Sequence, residues 1–501
     1  MNLIEMLDRN VRKSPHKDCL RAAGHGWTYA QVGELARRAA GLLQSWGVGQ
    51  GDRVAVMSHN TVSFVVAFFG AVKAGAVVVP VNHKLMAPEV DYILEHSGAK
   101  VFLFDGALAE VAGRLASQAK KASLDSDAQG HPRFDDLLET APAPTPVKVG
   151  DDDPAEILYT SGTTGKPKGC LHSHRNVIMA GITGALVLKM DENDRLLMAM
   201  PIWHSSPLNN WFMGIQYVGG TTVLIREYHP LHFLQAVQAE QCTVYFGAPI
   251  SYLMPLQMIP NFADFDLSSM RCWVYGGGPI AGDTARRLME AYGSRDFYQV
   301  YGMTEAGPTG TTLLPHEQVS KAGSIGKSGL PGADLMVMQT DGRPAGPGQT
   351  GEIWLKADSM MKGYYNDPAN TAAAFSDGWY KTGDVARIDE DGFLYIVDRT
   401  KDMIVTGGEN VYSKEVEDAL AAHPAVMEAA VIGRPHPEWG ETVLAFVVAA
   451  KDAALDVDEL KGFLGQRLAK YKIPREIVVA ETLPHTPTGK IMKFKLREEM
   501  A

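Results

Sequence analysis

The feature that most constrains the fold is an apolar stretch, "VSFVVAFFGAVKAGAVVVPV", which runs from Val62 to Val81. A transmembrane helix needs about 20 mostly apolar residues, but Lys73, Gly75 and Pro80 interrupt this stretch. A buried helix that ends near Gly75, followed by a short inner strand, accommodates all three residues. The stretch therefore predicts part of a soluble protein and not a membrane span.

Strand-like and helical segments alternate along the first 400 residues. "DRVAVMS" precedes the helix predicted at 62–73, and "AVVVPV", a helix near Pro88–Ser97 and "KVFLF" follow it. This βαβ order is typical of a layered sheet with helices on its faces. From Gly323 to Arg399, short strands and Gly/Pro turns instead predict the hairpins of a small β subdomain.

A charged segment, "DRTKD" at 398–402, ends this β region. The segment of about a hundred residues that follows has its own strands and helices, and it is large enough for a separate domain. We therefore predict an α/β fold with two domains. Residues 1–400 form a large N-terminal domain of layered α/β subdomains plus the small β subdomain, and residues 401–501 form a small α+β C-terminal domain.

Charge and cysteine content exclude several classes of protein. The net charge of −11 argues against a nucleic acid or an anionic membrane as the main partner. The four cysteines are scattered without a CxxC pair, which fits a reducing compartment and no structural zinc. "HSH" at 172–174 has no other metal ligands nearby in sequence. The first residues, "MNLIEMLDRN", lack the apolar core of a signal peptide, so a cytoplasmic protein is expected.

The segment "YTSGTTGKPKG" at 159–169 concentrates glycine, hydroxyl and lysine side chains between a strand candidate, "AEILYT", and a helix candidate, "RNVIMAGITGALVL". Glycines let backbone N–H groups turn towards an anion, hydroxyls donate hydrogen bonds, and lysines neutralise charge. The P-loop of common NTPases has four residues before its Gly-Lys-Ser/Thr. Here two residues separate Gly162 from Gly165, and Pro167 follows Lys166. The segment therefore predicts a polyphosphate-binding loop of another kind.

This loop resembles the signature of the adenylate-forming superfamily, which includes acyl-CoA synthetases, luciferases and the adenylation domains of peptide synthetases. Four further motifs resemble family motifs in the same order: "YGMTE" (301–305), "YKTGD" (380–384), "DRTKDMIVTGGENVYSKEVE" (398–417) and "PTGKI" (487–491). The motifs together extend from Tyr159 to Ile491, which is most of the chain. The sequence is most similar to an acyl-CoA synthetase.

The resemblance implies that the loop holds the β- and γ-phosphates of ATP. The corresponding residues are Thr160, Ser161, Gly162, Thr163, Thr164, Gly165 and Lys168. Thr304 and Glu305 are implied catalytic residues that meet the phosphates and Mg²⁺. Thr160 would join Glu305 near the metal, because Mg²⁺ prefers oxygen ligands and usually takes only one or two protein groups.

The segment "MRCWVYGGGPIAG" (270–282) allows two interpretations. It matches G-x-G-x-x-A, a dinucleotide-binding fingerprint that is weak on its own, and no acidic residue on a following strand stands at the spacing that a ribose contact requires. The resemblance instead implies that Gly277, Gly278 and Pro279 form a flat edge against adenine. Tyr301 would then stack on the other face of the base.

The remaining motifs imply roles for residues near the C-terminus. Asp384 would accept hydrogen bonds from both ribose hydroxyls, and Arg399 would support the ribose and phosphate. Lys490 would lie over the α-phosphate and the attacking carboxylate, where a cation stabilises the charge that develops during in-line displacement. Lys401 matches the family's hinge, which implies a mobile C-terminal domain. Gly408 would line the tunnel for the pantetheine arm of CoA.

The segment "MPIWHSSPLNNWFMG" (200–214) resembles the family's segment beside the acyl pocket, with His204 where an aromatic gate is usual. The other pocket candidates are Ser206, Asn210, Trp211, Gly247, Ala248, Tyr275 and Thr309. Small residues at Ser206 and Gly247 predict room for a bulky or extended acid. Apart from Arg226, these stretches offer no obvious cation for a second carboxylate, so a medium-chain, alicyclic or aromatic acid is favoured over malonate.

The leading hypothesis is an ATP- and Mg²⁺-dependent acid–CoA ligase. A carboxylate and ATP would form an acyl-adenylate and pyrophosphate, and the thiol of coenzyme A would then take the acyl group and release AMP. Three alternatives remain: loading of a carrier-protein thiol, a nucleotide-binding relative without turnover, and a nicotinamide-dependent dehydrogenase. Many family members are dimers, so a homodimer is also left open.

Overall fold

The structure is a computed structural model that describes residues 1–128, 130–160, 166–278, 280–399, 402–406, 409–436, 439–450, 453, 455–468, 470–485 and 491–500. The chain divides into two compact units. The first comprises Met1–Leu335 and Leu355–Tyr380, and the second comprises Met336–Trp354 and Lys381–Ala501. The boundary near residue 400, between a large N-terminal domain and a mobile C-terminal domain, stays a prediction.

The strands are, in chain order, β1 (Asp18–Ala22), β2 (His25–Thr28), β3 (Arg53–Met57), β4 (Val77–Val81), β5 (Ala99–Phe104), β6 (Lys120–Ser123), β7 (Pro154–Thr160), β8 (Lys168–Ser173), β9 (Arg195–Met198), β10 (Thr221–Leu224), β11 (Val244–Gly247), β12 (Cys272–Gly276), β13 (Phe297–Tyr301), β14 (Thr311–Leu313), β15 (Ala333–Met338), β16 (Thr350–Ala357), β17 (Gly363–Tyr364), β18 (Phe375–Ser376), β19 (Trp379–Ile388), β20 (Leu394–Arg399), β21 (Ile404–Thr406), β22 (Glu409–Val411), β23 (Val426–His436), β24 (Gly440–Ala449) and β25 (Glu476–Ala480).

The helices are, in chain order, α1 (Leu3–Lys13), α2 (Tyr29–Ser45), α3 (Val62–Lys73), α4 (Ala87–Ser97), α5 (Ala109–Gly113), α6 (Phe134–Leu137), α7 (His174–Val187), α8 (Met213–Val218), α9 (Pro230–Glu240), α10 (Pro249–Met258), α11 (Gly282–Ala291), α12 (Pro368–Ala374), α13 (Ser413–Ala421), α14 (Val457–Gly465) and α15 (Lys493–Glu499).

The apolar stretch forms helix α3 and strand β4, as predicted. Thr61 begins the helix, because its side chain accepts a hydrogen bond from the N–H of Phe64 at 3.1 Å. The helix is buried from Ser63 to Val72, and β4 is buried along its whole length. Among the described residues, no helix combines the length and apolarity that crossing a membrane requires.

The first unit contains two large sheets, which confirms the layered α/β prediction. One sheet has the order β17-β8-β7-β4-β3-β5-β6, and the other has the order β14-β13-β12-β11-β9-β10-β1-β2. In the second sheet β11, β12 and β13 run parallel. Their carboxyl ends therefore bring Gly247, Gly276 and Tyr301 to one edge, which is where open α/β sheets bind ligands.

The connection after the glycine- and hydroxyl-rich loop differs from the prediction. The loop does not lead directly into the predicted helix, because β8 pairs antiparallel with β7 and only then does α7 begin. The six residues of β8, "KGCLHS", are too few and too mixed in polarity to show a strand period. The loop therefore closes a β-hairpin whose end residues, Thr160 and Lys168, are directly paired.

The second unit confirms the hairpins and the C-terminal α+β pattern. Within it β15, β16 and β19 lie in that order, and β19 pairs antiparallel with β20. The C-terminal sheet has the order β22-β21-β24-β23, with β25 parallel to β24. The predicted helices and strands all form here, whereas the β21–β22 hairpin and α15 were not predicted.

Strand β7 carries a charged side chain into the core. Glu156 is completely buried opposite His172 of β8, and one carboxylate oxygen accepts a hydrogen bond from the Asn209 amide at 2.6 Å. The other carboxylate oxygen has no hydrogen-bond partner. Burial raises the pKa of Glu156 from its ordinary value of 4.5 to about 7, and the Asn209 hydrogen bond opposes this shift.

This raised pKa predicts a loss of stability as pH rises. Below pH 4.5, Glu156 is protonated in both the folded and the unfolded chain. Near neutral pH, its carboxyl group loses the proton more readily in the unfolded chain than in the folded chain. The shift corresponds to roughly 3 kcal/mol of unfolding free energy, lost between about pH 4.5 and pH 7. We expect Glu156→Gln to remove most of this loss, as measured by urea unfolding at several pH values.

The exposed Glu110 provides a matched control, because its side chain is 78% exposed. Glu110→Gln should retain the pH dependence of the original chain. If Glu156→Gln and Glu110→Gln lose stability equally as pH rises, the buried carboxyl is not its source.

Candidate active site

The paired ends of the β7–β8 hairpin hold the predicted phosphate loop. Thr160 is half-buried at the end of β7, directly opposite Lys168 at the start of β8. Five of the predicted phosphate-binding residues lie outside the described residues: Ser161, Gly162, Thr163, Thr164 and Gly165. Their roles stay predictions, and the hairpin fixes only where their segment begins and ends.

Two lysines flank this loop beside aromatic rings. The Lys166 ammonium lies 5.4 Å from the centre of the Tyr92 ring, and the Lys168 ammonium lies 5.0 Å from the centre of the Tyr364 ring. The Tyr92 hydroxyl donates to the carbonyl of Pro167 at 3.1 Å. These residues line a cleft of about 280 Å³. The cation–π contacts keep both ammonium groups beside the loop, where they can attract an anion.

A tyrosine connects one of these lysines to Glu305. The Tyr364 hydroxyl donates to a Glu305 carboxylate oxygen at 3.1 Å and lies 3.4 Å from the Tyr380 hydroxyl. Burial, and next the charge of Glu305, raise the pKa of Tyr364 and of Tyr380. Both phenols therefore stay protonated, and the Tyr364 hydroxyl fixes the orientation of the carboxylate. Tyr364 was not predicted, because the sequence contains no motif signal for it.

Thr304 and Glu305 lie in a short 3₁₀ turn, Thr304–Ala306. The Thr304 hydroxyl is 2.9 Å from the Ser205 hydroxyl, and Ser359 donates to the carbonyl of Ala306 at 2.7 Å. Gly307 ends the turn with a φ of +65°, and a Cβ there would lie 2.1 Å from the Ser359 carbonyl oxygen. The turn therefore requires glycine and holds the two predicted catalytic side chains next to each other.

The predicted adenine-binding residues lie at the carboxyl ends of β12 and β13. Gly276 pairs with Val300, so Gly277 and Tyr301 follow on neighbouring strands. Gly277 has a φ of +82°, and a Cβ there would meet no atom within 4 Å. Pro279 lies outside the described residues. The described part of this edge is open beside Gly277, as a flat surface for a base requires.

Asp384 and Arg399 lie in the second unit on paired positions of β19 and β20. The Arg399 Nε atom is 3.0 Å from an Asp384 carboxylate oxygen, and the Asp384 side chain is only 7% exposed. The N–H of Asp384 also donates to the Thr382 hydroxyl at 3.0 Å. The structure thus joins these two predicted ribose-binding residues as an ion pair. Lys401, Gly408 and Lys490 lie outside the described residues.

His204, the predicted gate, is exposed, which excludes a buried structural histidine. Its ring meets the Trp203 ring edge-on, with 5.7 Å between ring centres. The indole N–H of Trp203 donates to Nδ1 of His83 at 2.8 Å. Burial lowers the pKa of His83 to about 4, with a smaller contribution from His59, so this ring is neutral at physiological pH.

The segment after His204 forms a π-helical stretch over Ser206–Phe212. Extra-wide helical turns of this kind are frequent at functional sites. The Trp211 indole donates to the Ser206 hydroxyl at 3.0 Å and stacks on Phe246. Asn210 is buried and donates to the carbonyl of Ala180 at 3.2 Å. Ser206 and Trp211 are thus hydrogen-bonded to each other, whereas the Asn210 amide is hydrogen-bonded to α7.

One argument for a roomy acyl pocket was wrong. A Cβ at Gly247 would lie 2.1 Å from the Ser251 hydroxyl and 2.5 Å from the Tyr245 hydroxyl. These side chains fill the space that the missing Cβ leaves, so Gly247 provides no room for a substrate there. Tyr275 is buried too, and its hydroxyl donates to Gln318 at 2.6 Å.

Two more pocket candidates lie near the turns already described. Ala248 precedes α10 and is half-buried, and Thr309 is buried with its hydroxyl donating to the carbonyl of Gly307 at 3.1 Å. Their place in an acyl pocket, like that of the other candidates, stays a prediction.

Comparison with known proteins identifies related sequences along almost the whole chain. The family described as "AMP-binding enzyme" matches residues 7–365, and "AMP-binding enzyme C-terminal domain" matches residues 415–490. A long-chain-fatty-acid–CoA ligase of Mycobacterium tuberculosis is 38% identical over 94% of this chain and 93% of its own length. A feruloyl-CoA synthase of an Amycolatopsis species is 37% identical over 98% of this chain and 97% of its own length.

A solved structure shows the same similarity in three dimensions. The o-succinylbenzoate CoA synthetase of Bacillus subtilis, in complex with its acyl-adenylate intermediate, superposes with a TM-score of 0.86 at 30% identity. The match covers 98% of this chain and 97% of that chain. The motifs, the fold and these relatives agree, and the chain belongs to the AMP-binding enzyme family of the adenylate-forming superfamily.

Proposed function

We propose that this chain is an ATP- and Mg²⁺-dependent carboxylic acid–CoA ligase that forms an acyl-adenylate and then an acyl-CoA thioester. The observation that carries the proposal is the position of Tyr364. Its ring contacts the Lys168 ammonium beside the phosphate loop, and its hydroxyl donates to Glu305. Tyr364 thus contacts both a cation that can attract phosphate, Lys168, and the carboxylate proposed to bind the metal, Glu305. Related CoA ligases of nearly the same length support the reaction class.

The donor atoms suit Mg²⁺, which prefers oxygen ligands. The Glu305 carboxylate and the Thr160 hydroxyl both act on the buried Cys170 thiol: the Glu305 charge raises its pKa after the larger effect of burial, and the Thr160 hydrogen bond lowers it. Glu305 and Thr160 are the residues that would hold the ion. Mg²⁺, when bound, would neutralise phosphate charge.

The other side chains have defined tasks in this proposal. Lys168 attracts the phosphates, and the Thr304 hydroxyl, fixed by Ser205, donates to them. Asp384, held by Arg399, accepts from the ribose hydroxyls. Lys490 supplies the cation that stabilises charge on the α-phosphoryl oxygens as the carboxylate attacks in line and pyrophosphate leaves.

The acid is proposed to be a medium-chain, alicyclic or aromatic monocarboxylate. Arg226, the one cation considered for a second carboxylate, is already engaged: its Nη2 lies 2.6 Å from Asp105, which is buried, and its Nη1 lies 3.1 Å from Asp125. Removing Arg226 from Asp105 would leave a buried charge uncompensated. The relatives named for a fatty acid and for feruloyl-CoA support an extended or aromatic monocarboxylate.

Coenzyme A is proposed as the thiol acceptor, since the relatives are named as CoA ligases or synthases. A carrier-protein thiol is the alternative. We further propose a cytoplasmic location, which the four buried and unpaired cysteines support. A homodimer stays a prediction from the family.

The first prediction concerns product formation. The purified protein, incubated with ATP, Mg²⁺, CoA and a panel of acids, should give acyl-CoA and AMP from one class of monocarboxylate, detected by mass spectrometry. Lys490→Ala should slow adenylate formation about 100-fold or more. The matched control is Lys495→Ala, because Lys495 is exposed on α15.

Each outcome of this experiment separates two hypotheses. An acyl-adenylate that persists after CoA is added would favour a carrier-protein acceptor. Equal rates for Lys490→Ala and Lys495→Ala would contradict the role proposed for Lys490.

The second prediction isolates the Tyr364 hydroxyl. Tyr364→Phe keeps the ring beside Lys168 but removes the hydrogen bond to Glu305, and hydrogen bonds to charged groups contribute about 1.5–3 kcal/mol. We expect the Mg²⁺ concentration for half-maximal rate to rise roughly tenfold or more. The measurement is the initial rate of pyrophosphate release as a function of Mg²⁺ at saturating acid.

Tyr365→Phe is the matched control for this variant. Tyr365 lines the same cleft, and its ring packs edge-on against His96. An unchanged Mg²⁺ requirement in Tyr364→Phe, or an equal change in both variants, would show that the Tyr364 hydroxyl does not orient Glu305.

A further inference from the structure

A cluster of potential metal ligands lies outside the residues assigned above. It consists of His59, His83 and Glu227, whose ligand atoms all lie within 4.8 Å of one another. The three residues follow the carboxyl ends of β3, β4 and β10, respectively. Two different sheets of the first unit therefore contribute to the cluster.

Two of the three distances within the cluster approach those around a tetrahedral ion, and the two histidine nitrogens lie within 4.8 Å of each other. Nε2 of His59 is 3.3 Å from a Glu227 carboxylate oxygen, and Nε2 of His83 is 3.8 Å from the same oxygen. Ligands at 2.0–2.1 Å from Zn²⁺ in a tetrahedron stand about 3.3 Å apart. One pair already has this separation, and the second needs a shift of about 0.5 Å, which Glu227 can supply because its side chain is 63% exposed.

A buried carboxylate orients His59. Nδ1 of His59 lies 2.8 Å from Asp105, which is completely buried and also bound by Arg226. The Arg226 charge keeps Asp105 an acceptor, so the His59 proton lies on Nδ1. The lone pair on Nε2 is thereby directed towards Glu227. Histidines that bind metals almost always have a carboxylate or carbonyl partner of this kind on the other ring nitrogen.

His83 provides an independent sign that a ligand is absent. Its side chain is only 8% exposed, and its Nε2 atom has no hydrogen-bond partner although it is buried. An unsatisfied buried polar atom costs about 1–3 kcal/mol, so native structures rarely retain one without a reason. An ion between His83 and Glu227 would satisfy this nitrogen once the ring proton has moved to Nδ1.

We propose that His59, His83 and Glu227 bind one divalent transition-metal ion of the zinc class through the two Nε2 atoms and the carboxylate. Two imidazoles and one carboxylate form a donor set typical of zinc, with a fourth position open to water. Mg²⁺ prefers all-oxygen coordination, so the Mg²⁺ that accompanies ATP does not compete effectively for these nitrogens.

Binding at His83 requires a change of tautomer. The Trp203 indole N–H donates to Nδ1, so the proton of the neutral ring resides on Nε2. When the metal takes the Nε2 lone pair, this proton moves to Nδ1 and the hydrogen bond from Trp203 breaks. No net proton is released by His83, and the metal competes directly with Trp203.

The experiment uses the full-length protein without a polyhistidine tag, stripped with a chelator and kept in excess Mg²⁺. Co²⁺ is added while visible absorption and tryptophan fluorescence are recorded, and Zn²⁺ is then added to displace it. We expect one Co²⁺ per chain with the intense visible bands of a tetrahedral site, and a fluorescence change from Trp203. Loss of an outer partner alone costs 10–100-fold in metal affinity, so Glu227→Gln should weaken binding about 100-fold or more.

Three further variants sharpen the test. Glu110→Gln, an exposed glutamate outside the cluster, should bind as the original chain does. His83→Gln should weaken binding as Glu227→Gln does. Trp203→Phe removes the competing N–H donor and should tighten binding roughly fivefold, whereas a merely structural role for Trp203 predicts no tightening.

The proposal is overturned if the original chain binds neither Co²⁺ nor Zn²⁺ at micromolar concentrations. It is equally overturned if Glu227→Gln and His83→Gln bind as tightly as Glu110→Gln. Because Glu227 is exposed, Glu227→Gln should leave the fold intact, and the unfolding midpoints of all variants check this directly.

Discussion

The β7–β8 hairpin is the constraint on which the proposed phosphate site depends. Pairing of Thr160 with Lys168 fixes both ends of the glycine-rich segment, and pairing of Cys170 with Tyr364 adds a third strand beside it. Tyr364 then reaches Glu305 with its hydroxyl. Backbone pairing, which is insensitive to side-chain identity, thus sets the distance between a loop cation and the carboxylate of a distant turn.

The same hairpin also contains unsatisfied polar groups. Glu156 and His172 face each other in the core, and neither ring nitrogen of His172 has a hydrogen-bond partner. Burial lowers the pKa of His172 to about 4, so at neutral pH this histidine is uncharged. A core that tolerates unpaired polar atoms at these positions loses stability and keeps a polar environment there.

The sequence predicted most of the fold, because its strands and helices have strong local signals. Helix α3 was predicted from the apolar stretch that ends near Gly75, and the C-terminal α+β pattern from its separate strand-like and helical segments. Strand β8 was missed because six residues of mixed polarity show no period. The prediction of space for a substrate at Gly247 was wrong, because the sequence does not reveal whether other side chains, here Ser251 and Tyr245, already fill that space.

Contacts between distant residues could not be predicted in the same way. The hydroxyl of Ser205 meets Thr304, and Tyr364 meets Glu305, across sequence separations that no motif spans. His59, His83 and Glu227 likewise have none of the short spacings by which metal sites are recognised in sequences. Strands β3 and β4 are parallel neighbours, whereas β10 belongs to the other large sheet, so the three strand ends come together only in the folded unit.

One short segment connects the proposed metal-ligand cluster with the proposed catalytic turn. Trp203 donates to His83, whereas Ser205, two residues later, contacts Thr304. A hydrogen bond to the Asn60 side chain fixes the start of this segment, because the N–H of Ile202 donates to the Asn60 amide oxygen at 2.8 Å. The indole is therefore the adjustable element and the backbone is the fixed one. A tautomer change at His83 releases the Trp203 side chain while Asn60 still holds the backbone that positions Ser205.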